Sequence, residues 1–405
     1  MTSFRLTVLL IIILAIAGPV TLYGDQNANA AQSDIESIEE SNTTETDGEV
    51  LEEADEPPKQ KPKDPNRGRF LPIPIFITEP AVGEGLGLAL AYFHRPKNNA
   101  SETTVASPSS IGGASREQAP PPTVTGIFGA YTSNETAVAG IGHMNSFKDD
   151  HIRFTGAVAV ADVNSTFFLL DQPFKFNLEG AIVYQETRVR FGDSRWFWGI
   201  GLSYIDASTA FLLDLPDDAP IDLFRSELTN VGLSGKLAWD TRDNTSMPNQ
   251  GQLIDLSIWR YDTGIGGDFD YWNVRLKLLS FHQLHEKFVL GLRLDLSAID
   301  GRAPFFAVPW VSLRGIPALR YQGDRVGVLE VEGRYNFTPR WALVGFAGTG
   351  KVNSDVPILD TNQSIYSYGM GGRYQIFQAQ NVWVGIDVAR GPEDAYWYIQ
   401  VGHAW

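Results

Sequence analysis

Few residues of the types that perform catalysis or bind metals occur in this 405-residue sequence at a useful spacing. The chain has no cysteine, so neither a thiolate nucleophile nor a metal–thiolate site can form. His282 and His285 lie three residues apart, but two ligands at an exposed turn do not make a metal site. No combination of serine, histidine and aspartate stands out as a catalytic triad. We therefore predict no catalytic chemistry, no metal and no cofactor.

Two glycine-rich stretches look like short phosphate-binding loops. They are Gly83-Glu84-Gly85-Leu86-Gly87 and Gly348-Thr349-Gly350-Lys351. A phosphate loop binds its anion at the N-terminus of the helix that follows it. Neither stretch precedes a helical pattern, so both are interpreted as glycines within strands.

Period-2 alternation is the pattern that must position any functional residue. In 288–297 the even positions are Phe and Leu, and the odd positions are Val, Gly, Arg, Asp and Ser. A strand between lipid and a polar interior alternates in this way. A soluble sandwich would also alternate, but many segments here reach the roughly 9–11 residues that a tilted membrane-spanning strand needs. The sequence therefore predicts an all-β fold, a transmembrane antiparallel β-barrel of about sixteen strands.

The predicted strands alternate with connections of very different lengths. They lie near 82–94, 123–132, 135–146, 151–162, 164–171, 175–191, 196–209, 227–242, 251–263, 268–283, 287–299, 325–338, 341–353, 363–377, 382–390 and 395–405. If residue 82 starts in the periplasm, the tight turns lie at the periplasmic end and the long loops outside the cell, as outer-membrane barrels require. The tight turns are 133–134, 192–194, 285–286 and 338–340, and the long loops are 95–122, 210–226 and 300–324.

The first 69 residues differ in composition from the barrel, which we assign to 70–405. Residues 1–30 begin with Arg5 and an apolar run and end on Ala28-Asn29-Ala30, which is typical of a signal peptide. A membrane anchor is the alternative, but the run is shorter than the roughly 20 residues that a spanning helix needs. Residues 31–69 form an acidic and then Pro- and Lys-containing linker.

The linker composition predicts disorder. Eleven acids and no base lie between positions 34 and 56, too polar a stretch to form a core. A solvated spacer is favoured over a segment that docks to a basic partner. Net charge of −16 and export both disfavour a nucleic-acid partner.

Three patches give the chain a resemblance to a known family. Asp240-Thr241-Arg242-Asp243, followed by Pro248 and Gly251, closes a strand and its turn. Leu313-Arg314-Gly315-Ile316 lies in a long loop after the eleventh predicted strand, with five strands behind it. The last predicted strand ends on Trp405. From about residue 72 onward the chain thus resembles the BamA/TamA superfamily of outer-membrane barrels, also called the bacterial surface antigen family.

The resemblance implies a sixteen-stranded barrel whose long loop folds back into the lumen, with Arg314 pinned by acids on the wall. The Phe-x-Asp-x-Gly pattern of the family reads Phe346-Ala347-Gly348-Thr349-Gly350 here, so that acid is missing, and Ile316 stands where the family has an aromatic residue. A guanidinium group in a narrow lumen still needs a carboxylate. Glu330 and Glu332 share one face of the twelfth predicted strand and are the candidate partners. Alternatively, they are solvated charges of the lumen.

The resemblance also implies a function and partners. Members that insert or translocate proteins usually carry periplasmic POTRA domains, and about forty residues before the barrel are too few for one. We therefore expect a barrel-only member in the outer membrane that assists insertion or translocation of protein or lipid. The resemblance implies that it does so through a weak seam between the first and last strands. Its expected partners are outer-membrane lipid, the assembly machinery that reads Trp405 as a signal, and a periplasmic protein. A gated or passive channel is the first alternative, and a lipid hydrolase in the lumen is a disfavoured second.

Overall fold

A computed structural model describes residues 69–94, 123–148, 150–169, 172–212, 225–244, 247–354, 363–377 and 382–405. These residues form sixteen antiparallel strands, each hydrogen-bonded to the next along the chain. The signal peptide, the acidic linker and the loop 95–122 that the sequence predicts lie outside the described residues. Helical structure in the described part is confined to short 3₁₀ turns, and none of its helices is long and apolar enough to cross a membrane.

The strands follow one another in chain order as a single nearly closed sheet. They are β1 (Arg69–Ile77), β2 (Gly85–Phe93), β3 (Val124–Thr132), β4 (Ala137–Phe147), β5 (Ile152–Leu169), β6 (Gln172–Arg190), β7 (Trp196–Leu212), β8 (Arg225–Asp240), β9 (Gly251–Tyr261), β10 (Asp270–His285), β11 (Phe288–Arg302), β12 (Arg325–Asn336), β13 (Trp341–Asn353), β14 (Gln363–Phe377), β15 (Val382–Arg390) and β16 (Ala395–Val401).

The two faces of the sheet have opposite character, as the alternation predicts. Along β13, Trp341 and Leu343 are exposed on the outer face, while Ala342 and Val344 are buried. Along β11, Arg293 and Asp295 are among the buried residues. Large apolar side chains on the outside and charged ones inside are the inverse of a soluble domain and are typical of a membrane barrel.

The loop between β11 and β12, residues 303–324, lies inside the barrel. Its side chains Phe306 and Trp310 are buried in one cluster with Tyr261 and Tyr271 of the wall. The rings of Tyr261 and Tyr271 stack with centroids 4.3 Å apart. The loop therefore fills part of the lumen with apolar contacts of its own.

The barrel is open along one line, between β1 and β16, which we call the seam. The two strands lie side by side, but within the described residues no paired register joins them, whereas every other neighbouring pair has one. The indole Nε1 of Trp397 donates to Glu84 Oε1 across the seam at 2.9 Å.

Two strand predictions were wrong, and their errors cancel in the total. The sequence analysis missed β1, which contains two prolines, and divided β5 into 151–162 and 164–171. The prediction of an all-β fold with sixteen antiparallel strands is confirmed.

The missed strand also reverses the predicted orientation of β2 to β4. Counted from β1, the 133–136 turn lies at the same end of the barrel as the 303–324 loop, not at the end of the tight turns 286–287 and 337–340. The connection that contains 95–122 starts and finishes at the opposite end, which is the end of those tight turns. A contact agrees with this count, since the backbone N–H of Ala318 in the loop donates to Glu79, between β1 and β2, at 2.8 Å.

Candidate functional site

Arg314 stands at a sharp turn of the loop, which the next residue permits. Gly315 has a φ of 88°, in the left-handed region that favours glycine. A Cβ atom at this position would lie 2.9 Å from the backbone nitrogen of Gly391. The N–H of Gly315 donates to the hydroxyl of Tyr398 on β16 at 2.9 Å. The turn is thus seated against the hairpin of β15 and β16.

The guanidinium group of Arg314 reaches three buried carboxylates. Its Nε and Nη2 donate to Glu330 Oε1 at 2.9 and 2.6 Å. Its Nη1 donates to Asp387 Oδ2 on β15 at 2.8 Å. Its Nη2 also lies 2.8 Å from Glu332 Oε2, an ion contact whose angle does not suit a hydrogen bond. Burial by itself would lower the pKa of Arg314, but the three carboxylates outweigh it and raise that pKa above its ordinary value.

Strand β13 offers Arg314 an aromatic face in place of the absent acid. The guanidinium carbon lies 3.4 Å from the centroid of the Phe346 ring, a cation–π contact. At Gly348, where the family pattern has its aspartate, a Cβ atom would lie 2.6 Å from Cδ2 of Leu313. The loop therefore packs into the space that the missing side chain leaves.

Further charges extend the contacts of Arg314 along the wall. Arg293 donates to Glu330 Oε2 at 3.1 Å and to Asp295 at 3.2 Å. It also donates to the carbonyl and the hydroxyl of Ser312 in the loop, at 3.0 and 2.7 Å. The loop is thus anchored from both sides, because Arg314 reaches the wall and Arg293 of the wall reaches the loop.

These groups form what we call the lumen charge cluster. Each guanidinium group in it contacts a carboxylate, and the numbers of positive and negative groups are equal, which lowers the cost of burying them. The cluster consists of Arg275, Arg293, Arg314, Arg373, Asp295, Glu330, Glu332 and Asp387.

The apolar residues of the loop motif pack beside the cluster. Leu313 and Ile316 are buried with Val311 against the inner side chains of β12 to β14, such as Val328 and Val352. Ile316, which stands where the family has an aromatic residue, is only 2% exposed. An aliphatic side chain therefore fills this site completely.

The second motif lies elsewhere and closes the turn between β8 and β9. Arg242 donates to both carboxylate oxygens of Asp240 at 3.0 Å. Asp243 Oδ1 accepts the N–H of Asn249 at 3.0 Å. Thr241 Oγ1 accepts a backbone N–H from the start of β9 at 3.0 Å. This turn lies at the opposite end of the barrel from the 303–324 loop, so the structure does not bring the two motifs together.

The sequence predicted that Trp405 ends the last strand, 395–405. In the structure Trp405 lies beyond that strand. Strand β16 ends at Val401, and Gly402 turns the chain with a φ of 76°. The Nε1 of Trp405 donates to Glu330 Oε2 at 2.8 Å, and its ring centroid lies 5.9 Å from that of Phe281 on the inner face of β10. The indole ring is therefore a lumen group beside the charge cluster.

Sequence reasoning missed Asp387, Phe346 and the position of Trp405. Asp387 sits among apolar residues on β15, which is a signal for an inward-facing acid. Its distance of 73 residues from Arg314 hides the contact. The ring of Phe346 gave no signal beyond the alternation of its strand.

Residues 181–307 match the Omp85 superfamily domain. No curated protein is similar in sequence. BamA from Haemophilus ducreyi lacking POTRA domains 1–3 is similar in structure, with a TM-score of 0.56 and 12% identity over 83% of this chain and 70% of that one.

Two CdiB structures are also similar. CdiB from Escherichia coli has a TM-score of 0.55 at 12% identity, and CdiB from Acinetobacter baumannii has 0.51 at 11%. Both alignments cover 83% of this chain, but only 62% and 59% of the respective CdiB chains. At such identities the likeness establishes the fold. Together with the domain match it confirms the predicted resemblance and the predicted outer-membrane localisation.

Proposed function

We propose that this chain, which carries an Omp85 superfamily domain over residues 181–307, spans the outer membrane and assists the insertion of protein or lipid into it, or translocation across it. The observation that carries the proposal is a lumen occupied by the 303–324 loop beside a seam without a backbone ladder. The BamA and CdiB folds support a role of this general kind.

Membrane embedding is supported by the outer face. Large apolar side chains such as Ile127, Val160 and Leu343 are more than half exposed there. Aromatic residues lie toward the strand ends, as at Trp341, whose ring contacts Tyr374 with centroids 4.6 Å apart. An apolar band bordered by aromatic residues is the surface that a bilayer covers.

The loop position favours lateral insertion over free conduction. Arg314 and Arg293 hold the loop across the lumen, so a solute passing along the axis meets the charge cluster. The seam, in contrast, exposes strand edges toward the lipid. An unpaired edge can accept an incoming strand.

A gated channel is the second candidate, and the polar wall away from the loop favours it. Glu186 accepts hydrogen bonds from Tyr184, at 2.6 Å, and from Arg188 and Lys236. Arg188 also contacts Asp255 at 2.8 Å. Such a wall would conduct ions once the loop left the lumen.

The residues before and after the barrel wall would serve export, tethering and biogenesis. Residues 1–30 would direct export, and residues 31–69 would tether a periplasmic partner or act as a spacer. Trp405 would be read by the assembly machinery during biogenesis and would afterwards occupy the lumen.

The test is a folding assay with the full chain in liposomes. A small urea-unfolded outer-membrane barrel is added, and its folding is followed by heat-modifiable migration. Because the sequence has no cysteine, E84C and W397C can be joined across the seam by a short bismaleimide. We expect faster client folding with the free seam and none of that acceleration with the joined one.

The other outcomes separate the candidates. Acceleration that survives the joined seam would exclude lateral insertion. Absence of acceleration together with ion conductance in planar bilayers would favour the channel. The uncrosslinked double-cysteine variant is the matched control.

A further inference from the structure

The backbone groups of β1 that face the seam can be identified from its neighbours. Ser133 N donates to Glu84 O at 2.7 Å, and His94 N donates to Thr123 O at 2.9 Å. Backbone groups of a strand point alternately to its two sides, so the even-numbered residues of β2 bond to β3 and the odd-numbered ones to β1. The register pairs odd residues of β2 with odd residues of β1, for example Gly87 with Ile75. The even-numbered residues of β1 therefore face the seam.

Two of those four seam-facing residues are prolines. The four are Phe70, Pro72, Pro74 and Phe76. Proline has no backbone N–H, so the seam-facing side of β1 lacks donors at two successive positions. The same placement explains why the prolines do not interrupt the ladder between β1 and β2, which is continuous from Arg69 to Ile77.

The edge of β16 that faces the seam has an N–H donor and a carbonyl acceptor at every position. Gly391 N donates to Asp394 O at 3.0 Å, and Gly402 N donates to Trp383 O at 2.8 Å. Together with the register, these bonds show that the even-numbered residues of β16 bond to β15. The odd-numbered residues Ala395, Trp397, Ile399 and Val401 thus face the seam, each with an N–H and a carbonyl group.

The two edges therefore cannot form a complete ladder with each other. Carbonyl groups of β16 that lie opposite the prolines would find no donor on β1. An unsatisfied backbone group at membrane depth is costly. A complete strand with its own N–H groups would satisfy the β16 edge better than β1 does.

Resting on the proposed function, we propose that β16 alone is the edge that accepts a strand, and that its occupant is an extended segment of a client polypeptide. Pro72 and Pro74 prevent β1 from serving as the template, because prolines on an edge strand block pairing. The incoming segment would alternate apolar side chains with small or polar ones, as the strands of the neighbouring wall do. Its apolar side chains would lie beside Trp397 on the outer face, and its small or polar ones beside Tyr398 on the inner face.

The first experiment locates the client strand. The full chain in liposomes carries one cysteine, I399C on β16 or F76C on β1, and receives a urea-unfolded eight-stranded outer-membrane barrel with a cysteine in its terminal strand. We expect disulfide-linked folding intermediates through position 399, in about fivefold excess over position 76, the equivalent of roughly one hydrogen bond. Equal trapping, or trapping mainly through position 76, would overturn the proposal, as would cross-linking to a second copy of this chain only.

The second experiment changes the edges themselves. P72V/P74V restores two N–H donors to β1, which can bond to carbonyl groups of β16 and complete the ladder across the seam. Because a complete ladder also pairs the N–H groups of β16 with carbonyl groups of β1, the variant should protect the amides of residues 397 and 399 from hydrogen exchange and reduce trapping through position 399. I399P removes one donor from β16 and should slow client folding about fivefold. P173V, a proline replacement in β6 far from the seam, is the matched control and should change neither quantity.

The two proposals fail in different ways. If the unmodified barrel does not accelerate client folding, the proposed function fails, whereas the exchange measurement still tests the asymmetry of the edges. If it accelerates folding but P72V/P74V leaves the exchange of residues 397 and 399 unchanged, only the present inference is wrong. The exchange result does not depend on whether I399P folds.

Discussion

Arg314→Ala should release the 303–324 loop from the lumen. The substitution removes a guanidinium group that contacts Glu330, Glu332 and Asp387. Glu330 keeps its contact with Arg293 at 3.1 Å, and Asp387 keeps Arg373, so the loss is smaller than for an isolated buried pair. Breaking a buried pair by removing one partner costs about 3–5 kcal/mol, and we take the lower value, about 3 kcal/mol.

That free energy corresponds to a shift of roughly a hundredfold in the equilibrium between the loop inside and outside the lumen. Limited proteolysis from outside should cleave 303–320 faster by a similar factor while opening and closing stay rapid. Single-channel conductance should rise. Arg314→Lys should recover only part of the effect, because an ammonium group cannot make the bidentate contact.

The control is Arg302→Ala, since Arg302 is an exposed arginine at the end of β11. It should change cleavage and conductance little, as expected for an exposed charge. If Arg314→Ala folds with normal heat-modifiable migration, yet its cleavage and conductance equal those of the control, the anchoring argument is wrong.

Three further predictions test other contacts. Gly348→Ala should loosen the loop, because its Cβ would lie 2.6 Å from Leu313. Such overpacking costs about 1–3 kcal/mol and should speed proteolysis of the loop. In the double variant with Leu313→Ala, the rate of proteolysis should return toward that of the original protein. Asp150→Asn should lower stability near neutral pH. Burial would raise the pKa of Asp150, but hydrogen bonds and charges of neighbouring arginines hold that pKa below its ordinary value. The ionised carboxylate therefore stabilises the fold at pH values above the ordinary aspartate pKa of about 4. This stabilisation is lost as the pH falls through the lower pKa of the folded protein. Urea unfolding at several pH values should show the two proteins converging in acid. Trp405→Phe should remove the donor to Glu330 and lower the melting temperature by a few degrees, equivalent to about 1 kcal/mol.

The sequence predicted the strands well where a polar lumen and an apolar exterior impose alternation on both faces. It missed β1, because Pro72 and Pro74 argue against a strand unless that strand lies at an edge. It divided β5 because this strand, at 18 residues, is longer than the thickness of a bilayer requires. Each of these errors comes from a physical feature of the barrel, its seam or its uneven height.

The sequence predicted only some of the groups around Arg314. Alternation on β12 places Glu330 and Glu332 on one face, and a buried guanidinium group requires an acid, so these contacts follow from local pattern. Asp387 on β15 and Trp405 after β16 approach from parts of the chain that are distant in the sequence. Only the closure of the barrel brings β15 and the residues after β16 near β12.

That closure also connects the loop to the seam. On one side of the seam, Ala318 N donates to Glu79 at 2.8 Å. On the other side, Gly315 N donates to Tyr398 at 2.9 Å, and Arg320 Nε donates to Glu393 at 2.6 Å. A loop that leaves the lumen must break contacts on both sides, and a seam that widens at this end must break one set of them. Loop release and seam opening therefore share the same hydrogen bonds, so a substitution that loosens the loop should also lower the resistance of the seam to an incoming strand.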